Sequence, residues 1–294
     1  MALPAGSSMV TIAQISDPHV GSPHFVPNLM NRVLLEIDDL DPDAVLCTGD
    51  LTNEGLAGEY KAAAAYLSQI RQPLHVIPGN HDSRNVGYVH FEELFGERHW
   101  VRDVGPVRMV AVDSSEPDLN EGRIGREWYD WIRKAFDCDA ELKVFVVHHH
   151  LIAVPGTGRE RSTVQDAGDL LELLLASGAD LVLTGHKHVP FVWRLEHLYI
   201  ANAGTATSLK LRGHTRPCYS IIEYENNQVR IHRKYPFGAS ALIAHWNPRT
   251  GEQYHREFEP LFAAPVAPDQ RSEQTDVPPE HEAVADRPGS RDTS

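Results

Sequence analysis

Five short stretches rich in metal-ligand residues follow one another along this chain: Asp17-Pro18-His19, Gly49-Asp50, Gly79-Asn80-His81-Asp82, His148-His149-His150 and Gly185-His186-Lys187-His188. Four of the five come directly after a run of apolar, strand-like residues. A strand that ends in such a residue delivers it to the carboxyl edge of a sheet, where loops gather side chains around one point. This constrains the fold before any other property does: the ligand-bearing strand ends have to meet at one edge. A set of Asp, His and Asn residues assembled that way is the equipment of a two-metal hydrolase.

The hydrophobic pattern supplies the frame. Continuous apolar runs predict strands at Val10–Ile15, Ala44–Thr48, Leu74–Ile77, Val107–Val112, Leu142–Val147 and Leu181–Thr184. Helices are predicted over Leu29–Leu40, with Leu29, Val33, Ile37 and Leu40 on one face, and over Gly58–Ile70, Val86–Phe95, Glu127–Phe136 and Ala167–Ala176. From about residue 189 the pattern turns to successive strands: Phe191–Leu195, Leu198–Ala201, Tyr219–Tyr224 and Val229–Tyr235. Alternating strands and helices followed by a β-rich half predict an α/β fold, a four-layer α/β/β/α sandwich of two mixed sheets flanked by helices. Residues 1–262 form that domain. Residues 263–294 are rich in Pro, Glu, Asp, Ser and Arg, nearly lack large apolar groups, and read as a disordered acidic tail.

Charge narrows the partners. The formal net charge is −14, of which the tail carries −4, so the body is itself acidic and offers no long basic track for nucleic acid. An anionic substrate must be drawn in locally, and a metal pair does that. No run approaches a membrane-spanning length, and Met1 to Met9 has neither the basic nor the apolar region of a leader, so a cytoplasmic location is expected. The three cysteines, Cys47, Cys138 and Cys218, form neither a disulfide framework nor a zinc knuckle. The β-rich half offers edges for a homo-oligomer.

Taken singly, each ligand stretch has an ordinary reading. Asp17-Pro18 is a turn signal, Asp50 a helix cap, Gly79-Asn80 a tight turn, and His186 or His188 a surface histidine. The metal reading lies in their conjunction. Residues i and i+2 of an extended segment point the same way, so Asp17 and His19 are expected to grip one ion. Gly49 lets the chain turn so that Asp50 faces the edge, and its two oxygens suit a bridge between cations. Asn80 is a neutral ligand, which keeps the site receptive to an anion. Consecutive histidines alternate in direction, so His148 is expected to face the ions and His149 or His150 to support them or face substrate. Arg159 and Arg161, in the Gly-, Arg- and Thr-rich stretch after the His run, are candidate substrate contacts, with a solvated loop as the plain alternative. Trp128 and Trp131 lie on a helical stripe and are expected to pack.

The ordered motifs resemble those of the calcineurin-like metallophosphoesterases over about Val10 to Ala206. Within that superfamily the chain is most similar to bacterial class III cyclic-nucleotide phosphodiesterases and their glycerophosphodiesterase relatives, through Ile15-Ser16-Asp17-Pro18-His19, Thr48-Gly49-Asp50-Leu51-Thr52 and the polyhistidine strand end. The resemblance implies that Asp17, His19 and His188 bind a first metal, that Asn80, His148 and His186 bind a second, that Asp50 bridges both and that His81 assists the leaving group. The Arg that protein phosphatases carry after Gly-Asp is absent, as is the Tyr ligand of purple acid phosphatases. Where cyclic-nucleotide enzymes often show a His-Gly step, this chain has Asn120-Glu121-Gly122-Arg123.

Two divalent or mixed-valence ions per chain are expected, Mn2+, Fe2+/Fe3+ or Zn2+, because oxygen and imidazole ligands are mixed. Two such ions, two carboxylates and a bridging hydroxide leave a centre of about +1, matched to the single charge of a phosphodiester. The expected reaction is hydrolysis of a small anionic phosphodiester, 3′,5′-cyclic nucleotides included, by attack of that hydroxide. A monoester or pyrophosphate hydrolase of the same superfamily, or a scaffold that has lost catalysis, are the alternatives.

Overall fold

Thirteen strands and five α-helices alternate along the chain of this computed structural model, which describes residues 9–157, 163–212 and 215–256. In order these are β1 (Val10–Ile15), α1 (Pro27–Leu40), β2 (Ala44–Cys47), α2 (Ala57–Leu67), β3 (Leu74–Val76), α3 (Gly87–Phe95), β4 (Trp100–Val104), β5 (Val107–Ala111), α4 (Tyr129–Phe136), β6 (Leu142–Val146), α5 (Ala167–Ala176), β7 (Leu181–Thr184), β8 (Phe191–Leu195), β9 (Leu198–Asn202), β10 (Tyr219–Glu225), β11 (Gln228–Lys234), β12 (Ser240–Trp246) and β13 (Gln253–Arg256). All described residues fall in one unit, Met1–Phe262. The expected tail and Arg159 and Arg161 lie outside the described residues.

The strands form two mixed sheets. One runs β13-β12-β11-β10-β1-β2-β3 and the other β4-β5-β6-β7-β9-β8. Strands β1, β2 and β3 are parallel neighbours in the first, and β5, β6, β7 and β9 in the second. Alternation of side chains along each strand divides the core into three layers. Ile12 and Leu46 face inward and pack with Met109, Val144, Leu181 and Tyr199 of the other sheet. Tyr199 stacks on Trp246, ring centroids 3.9 Å apart, tying the second sheet to the far side of the first. On the outer face of the first sheet, Ala13, Val45 and Cys47 meet Met30, Val33, Ile37 and Tyr60 of α1 and α2. On the outer face of the second, Val110, Phe145 and Val182 meet Ile132, Phe136, Leu170 and Leu174 of α4 and α5. This is the four-layer sandwich that the pattern predicts.

One helix face and three strands differ from expectation. The buried stripe of α1 is Met30, Val33, Leu34 and Ile37, the i, i+3, i+4, i+7 set, whereas Leu40 at the helix end is 37% exposed. Strands β4, β12 and β13 are absent from the expected set; each forms by pairing in a sheet, β12 around an apolar Ala241-Leu242-Ile243-Ala244 run of its own. In the β-rich half, β8 and β9 complete the second sheet, while β10 to β13 complete the first. Among the described residues no helix is long and apolar enough to cross a membrane.

Candidate metal centre

Each of the five ligand stretches begins within four residues of the carboxyl end of a parallel strand: β1, β2 and β3 in one sheet, β6 and β7 in the other. Because both sheets present these ends on the same side, the loops meet over the edge of the sandwich. Backbone hydrogen bonds fix them to each other. Asp17 N donates to Gly49 O and His19 N to Asp50 O, at 3.0 and 2.9 Å. His186 N donates to both carboxylate oxygens of Asp17 at 3.0 and 3.1 Å, joining the two sheets at the site.

The local backbone is not the extended one expected. Asp17, His19, Asp50, His186 and His188 all have positive φ, from 49 to 70°. Left-handed backbone costs a non-glycine residue about 1 kcal/mol or more, and it persists where the surroundings dictate it. Pairs two apart do converge here, but through left-handed turns rather than strand alternation. Gly49 and Gly79 allow the close approach. Gly49 has φ 93°, and a Cβ there would meet His148 Nδ1 at 2.6 Å, while one on Gly79 would meet His148 Cε1 at 2.7 Å.

Three overlapping groups of donor atoms result, each within 4.8 Å: Asp17, His19 and His188; His19, Asp50 and His81; Asp50, His148 and His186. The Nε2 atoms of His19 and His188 are 2.9 Å apart, and His188 Nε2 is 3.3 Å from Asp17 Oδ1. Asn80 Oδ1 lies 2.9 Å from His186 Nδ1 and 3.3 Å from His148 Nε2. Asp50 spans the groups, with Oδ2 3.6 Å from His19 Nε2 and Oδ1 3.4 Å from His148 Nε2. Such spacings, roughly 3–3.5 Å, are those of adjacent corners around an ion with bonds near 2.1 Å. Backbone carbonyls orient the rings. His148 Nδ1 donates to Thr48 O, His188 Nδ1 to Lys210 O and His81 Nδ1 to Asn53 O, at 2.7, 2.6 and 2.5 Å, which leaves each Nε2 lone pair facing the site.

The electrostatics favour positive charge here. Burial opposes ionisation of Asp17 and Asp50, yet His188 beside Asp17 and His148 beside Asp50 hold both carboxyls below the usual range. Burial likewise opposes protonation of His148, but the two carboxylates push it up to about 10. Burial, only partly offset by Asp50, lowers His19 to about 3. Ionised carboxylates that draw a proton onto the buried His148 mark a place for positive charge, and a divalent cation bound there would take that proton's place.

Residues beyond the proposed ligands also shape the site. Asp82 accepts hydrogen bonds from Leu51 N, Thr52 N, Thr52 Oγ1 and Gly79 N at 2.8–3.0 Å, clamping the Asp50 loop to the Asn80 loop. Thr205 Oγ1 donates to Asp17 O at 2.7 Å. A cavity of about 190 Å3 opens onto Asp50, Asn80, His81, His186 and His188, and Arg84, Asn120, Lys210 and Arg212 complete its lining. The sequence reading turns His149 toward substrate as one choice, but the structure corrects it. That ring is 0% exposed, with Nδ1 2.7 Å from Ser114 Oγ and Nε2 donating to Asn120 O at 3.2 Å, so it braces the cavity wall from behind. His150 is buried and stacks on His186, centroids 5.5 Å apart. Trp128 stacks on His99 away from the cavity, in keeping with a packing role.

The family model for calcineurin-like phosphoesterases matches residues 10–190, the span that holds all five ligand stretches. The chain belongs to this family. Its members are phosphoesterase hydrolases, and the buried Asp and His groups described above can hold the metal ions of a metallophosphoesterase. The chain is 25% identical, over 64% of its length and 77% of the relative's, to a Synechococcus protein named "Probable cyclic nucleotide phosphodiesterase". It is 27% identical to the 3′,5′-cyclic adenosine monophosphate phosphodiesterase of Pseudomonas aeruginosa, covering 64% and 73% of the two chains. A "Probable glycerophosphodiester phosphodiesterase" of Arcobacter nitrofigilis is 30% identical, over 47% of this chain and 56% of its own. Among solved structures, a purple acid phosphatase from yellow lupin superposes with TM-score 0.63 at 17% identity, covering 84% of this chain and 53% of that one. A dimetal phosphatase from Danio rerio gives 0.61 at 10% identity, covering 79% and 98%. Both likenesses concern the fold.

Proposed function

We propose that this phosphoesterase hydrolyses phosphodiesters at a dinuclear metal centre, with Asp17, His19 and His188 holding one ion, Asn80, His148 and His186 the other, and Asp50 shared. The observation that carries the reading is Asp50 itself: one carboxylate oxygen faces His19 and the other faces His148, so a single side chain serves both groups. Bound manganese, iron or zinc supplies an activated water and positive charge for the phosphoryl oxygens.

The chain's own residues do the rest. His81 lies beside the shared carboxylate, its N–H donating to Asp50 Oδ1 at 2.9 Å and its ring edge-on to His19 at 4.6 Å. With Nδ1 held by Asn53 O, its Nε2 is the atom aimed into the cavity, and the imidazolium form of the ring carries there the proton that goes to the departing oxygen. The diester preference is supported by the charge balance of the centre and by relatives named for cyclic nucleotide and glycerophosphodiester substrates.

The test uses metal-stripped protein reloaded with manganese and compares bis-p-nitrophenyl phosphate with p-nitrophenyl phosphate. Manganese-dependent turnover preferring the diester is expected. A monoester preference moves the assignment to a phosphatase, and two bound ions with no turnover of either ester refute the phosphodiesterase reading.

A further inference from the structure

The cavity beside the cluster is more basic than a singly charged substrate requires. In a chain of net charge −14, three cationic side chains line one small cavity: Arg84, Lys210 and Arg212. Arg84 is largely balanced, since it pairs with Glu54 at 3.2 Å and donates to Asn120 Oδ1 at 2.8 Å. Lys210 and Arg212 are exposed and pair with no carboxylate among the described residues. Their loop is nevertheless fixed to the ligand cluster. Lys210 O accepts from His188 Nδ1, Lys210 N donates to Ser208 Oγ at 3.1 Å, and Ser208 bridges to Phe25. The volume, about 190 Å3, lies below the roughly 300 Å3 at which drug-sized apolar ligands are accommodated, and its lining is polar. It suits small charged groups rather than a lipid chain.

We infer that Lys210 and Arg212 form a second anion subsite, with Arg84 in the same wall, that takes a further phosphate group carried by the substrate beside the scissile one. The inference rests on the phosphodiester reading above and narrows it to diesters bearing an additional terminal phosphate. The centre is already matched to one negative charge, so two further cations that meet no carboxylate among the described residues offer a place for a second. Their field also raises the encounter rate of multiply charged anions against the repulsion of an acidic body.

Two measurements on the full, manganese-loaded chain decide it. The first is equilibrium binding of thymidine 3′,5′-bisphosphate and thymidine 3′-phosphate by calorimetry. The bisphosphate is expected to bind at least about 10-fold more tightly, and Lys210→Ala/Arg212→Ala is expected to abolish that difference. The Gln double variant, which keeps side-chain bulk, should do the same. Equal affinity of the two nucleotides for the unmodified protein, or an equal loss for both in the variants, overturns the subsite. The second is turnover of thymidine 3′-(p-nitrophenyl phosphate) with and without a 5′-phosphate. The phosphorylated ester should show the higher kcat/KM, falling about 10-fold in the double variant, against less than about 3-fold for the other. Hydrolysis of neither ester, with the bisphosphate preference intact in calorimetry, removes the phosphodiesterase reading and leaves the subsite standing. Hydrolysis of both at one rate, with equal affinities, does the reverse.

Discussion

Asn80 donates its amide Nδ2 to Asn120 Oδ1 across 3.3 Å, and that contact decides which end of the Asn80 side chain faces the histidines. An amide has one donor end and one acceptor end. With the donor end engaged, the acceptor Oδ1 is left toward His148 and His186. Asn120 Oδ1 also takes a hydrogen bond from Arg84, and His149 holds its backbone carbonyl, so the orienting residue is itself held. Replacing Asn120 by Ala is therefore expected to weaken one of two metal-binding events by about 10-fold or more, the usual cost of removing a group that orients a ligand. Titration of the metal-free protein with manganese checks this, and two unchanged dissociation constants would sink it.

His81 belongs geometrically both to a possible ligand group and to the cavity, and one variant separates the roles. If it protonates the leaving oxygen, His81→Ala keeps both ions and loses about 10²–10⁴ in kcat with an alkoxide leaving group. With p-nitrophenolate, which needs no proton, the loss should be far smaller. Loss of one ion in elemental analysis would instead make His81 a ligand.

Asp82 should matter for stability more than for chemistry. Truncation to Ala strips an acceptor from three buried backbone N–H groups and the Thr52 hydroxyl. Buried donors left unpaired cost about 1–3 kcal/mol each. A loss of about 3 kcal/mol or more is expected, seen as a thermal midpoint lower by at least about 6 °C. A midpoint within about 2 °C of the parent would contradict the clamp.

Away from the site, His99 sets an acid limit. Burial, then the charge of Arg98, lowers it to about 4, and its Nδ1 accepts the Asp113 N–H at 3.1 Å while the ring stacks on Trp128. Protonation destroys that acceptor. The unfolded chain takes up the proton near pH 6.5 and the folded one only near pH 4, so the stabilisation is complete above the first value and is lost as pH falls toward the second. Its size is on the order of 1–2 kcal/mol, discounted because the ring is partly exposed. In His99→Phe, the drop in thermal midpoint between pH 7 and pH 5 should shrink; an unaltered drop would rule His99 out as its source.

Much of this could be read from the residues because strand ends and ligands coincide in the sequence. Continuous runs such as Ala44–Cys47 mark strands buried on both faces, and the residues after them mark the edge. The i, i+2 pairs were legible for a reason that the backbone does not honour, since Asp17 and His19 both lie in left-handed turns. Asn120, Lys210 and Arg212 carried no local signal: they reach the cavity through loops whose course depends on the sheet order. The direction of His149 was equally hidden, because Ser114, 35 residues earlier, decides it. Strand β13, with few apolar residues, is placed by its pairing with β12.

The division of the ligands between two sheets has a consequence for biosynthesis. Asp17, His19, Asp50 and Asn80 leave the ribosome well before His148, which lies 68 residues beyond Asn80. On the proposed assignment, neither ion has its full set until the second sheet has been made and docked. Loading with metal is then a late event performed by the finished sandwich, and the nascent N-terminal half emerges with its carboxylates still uncommitted to any ion.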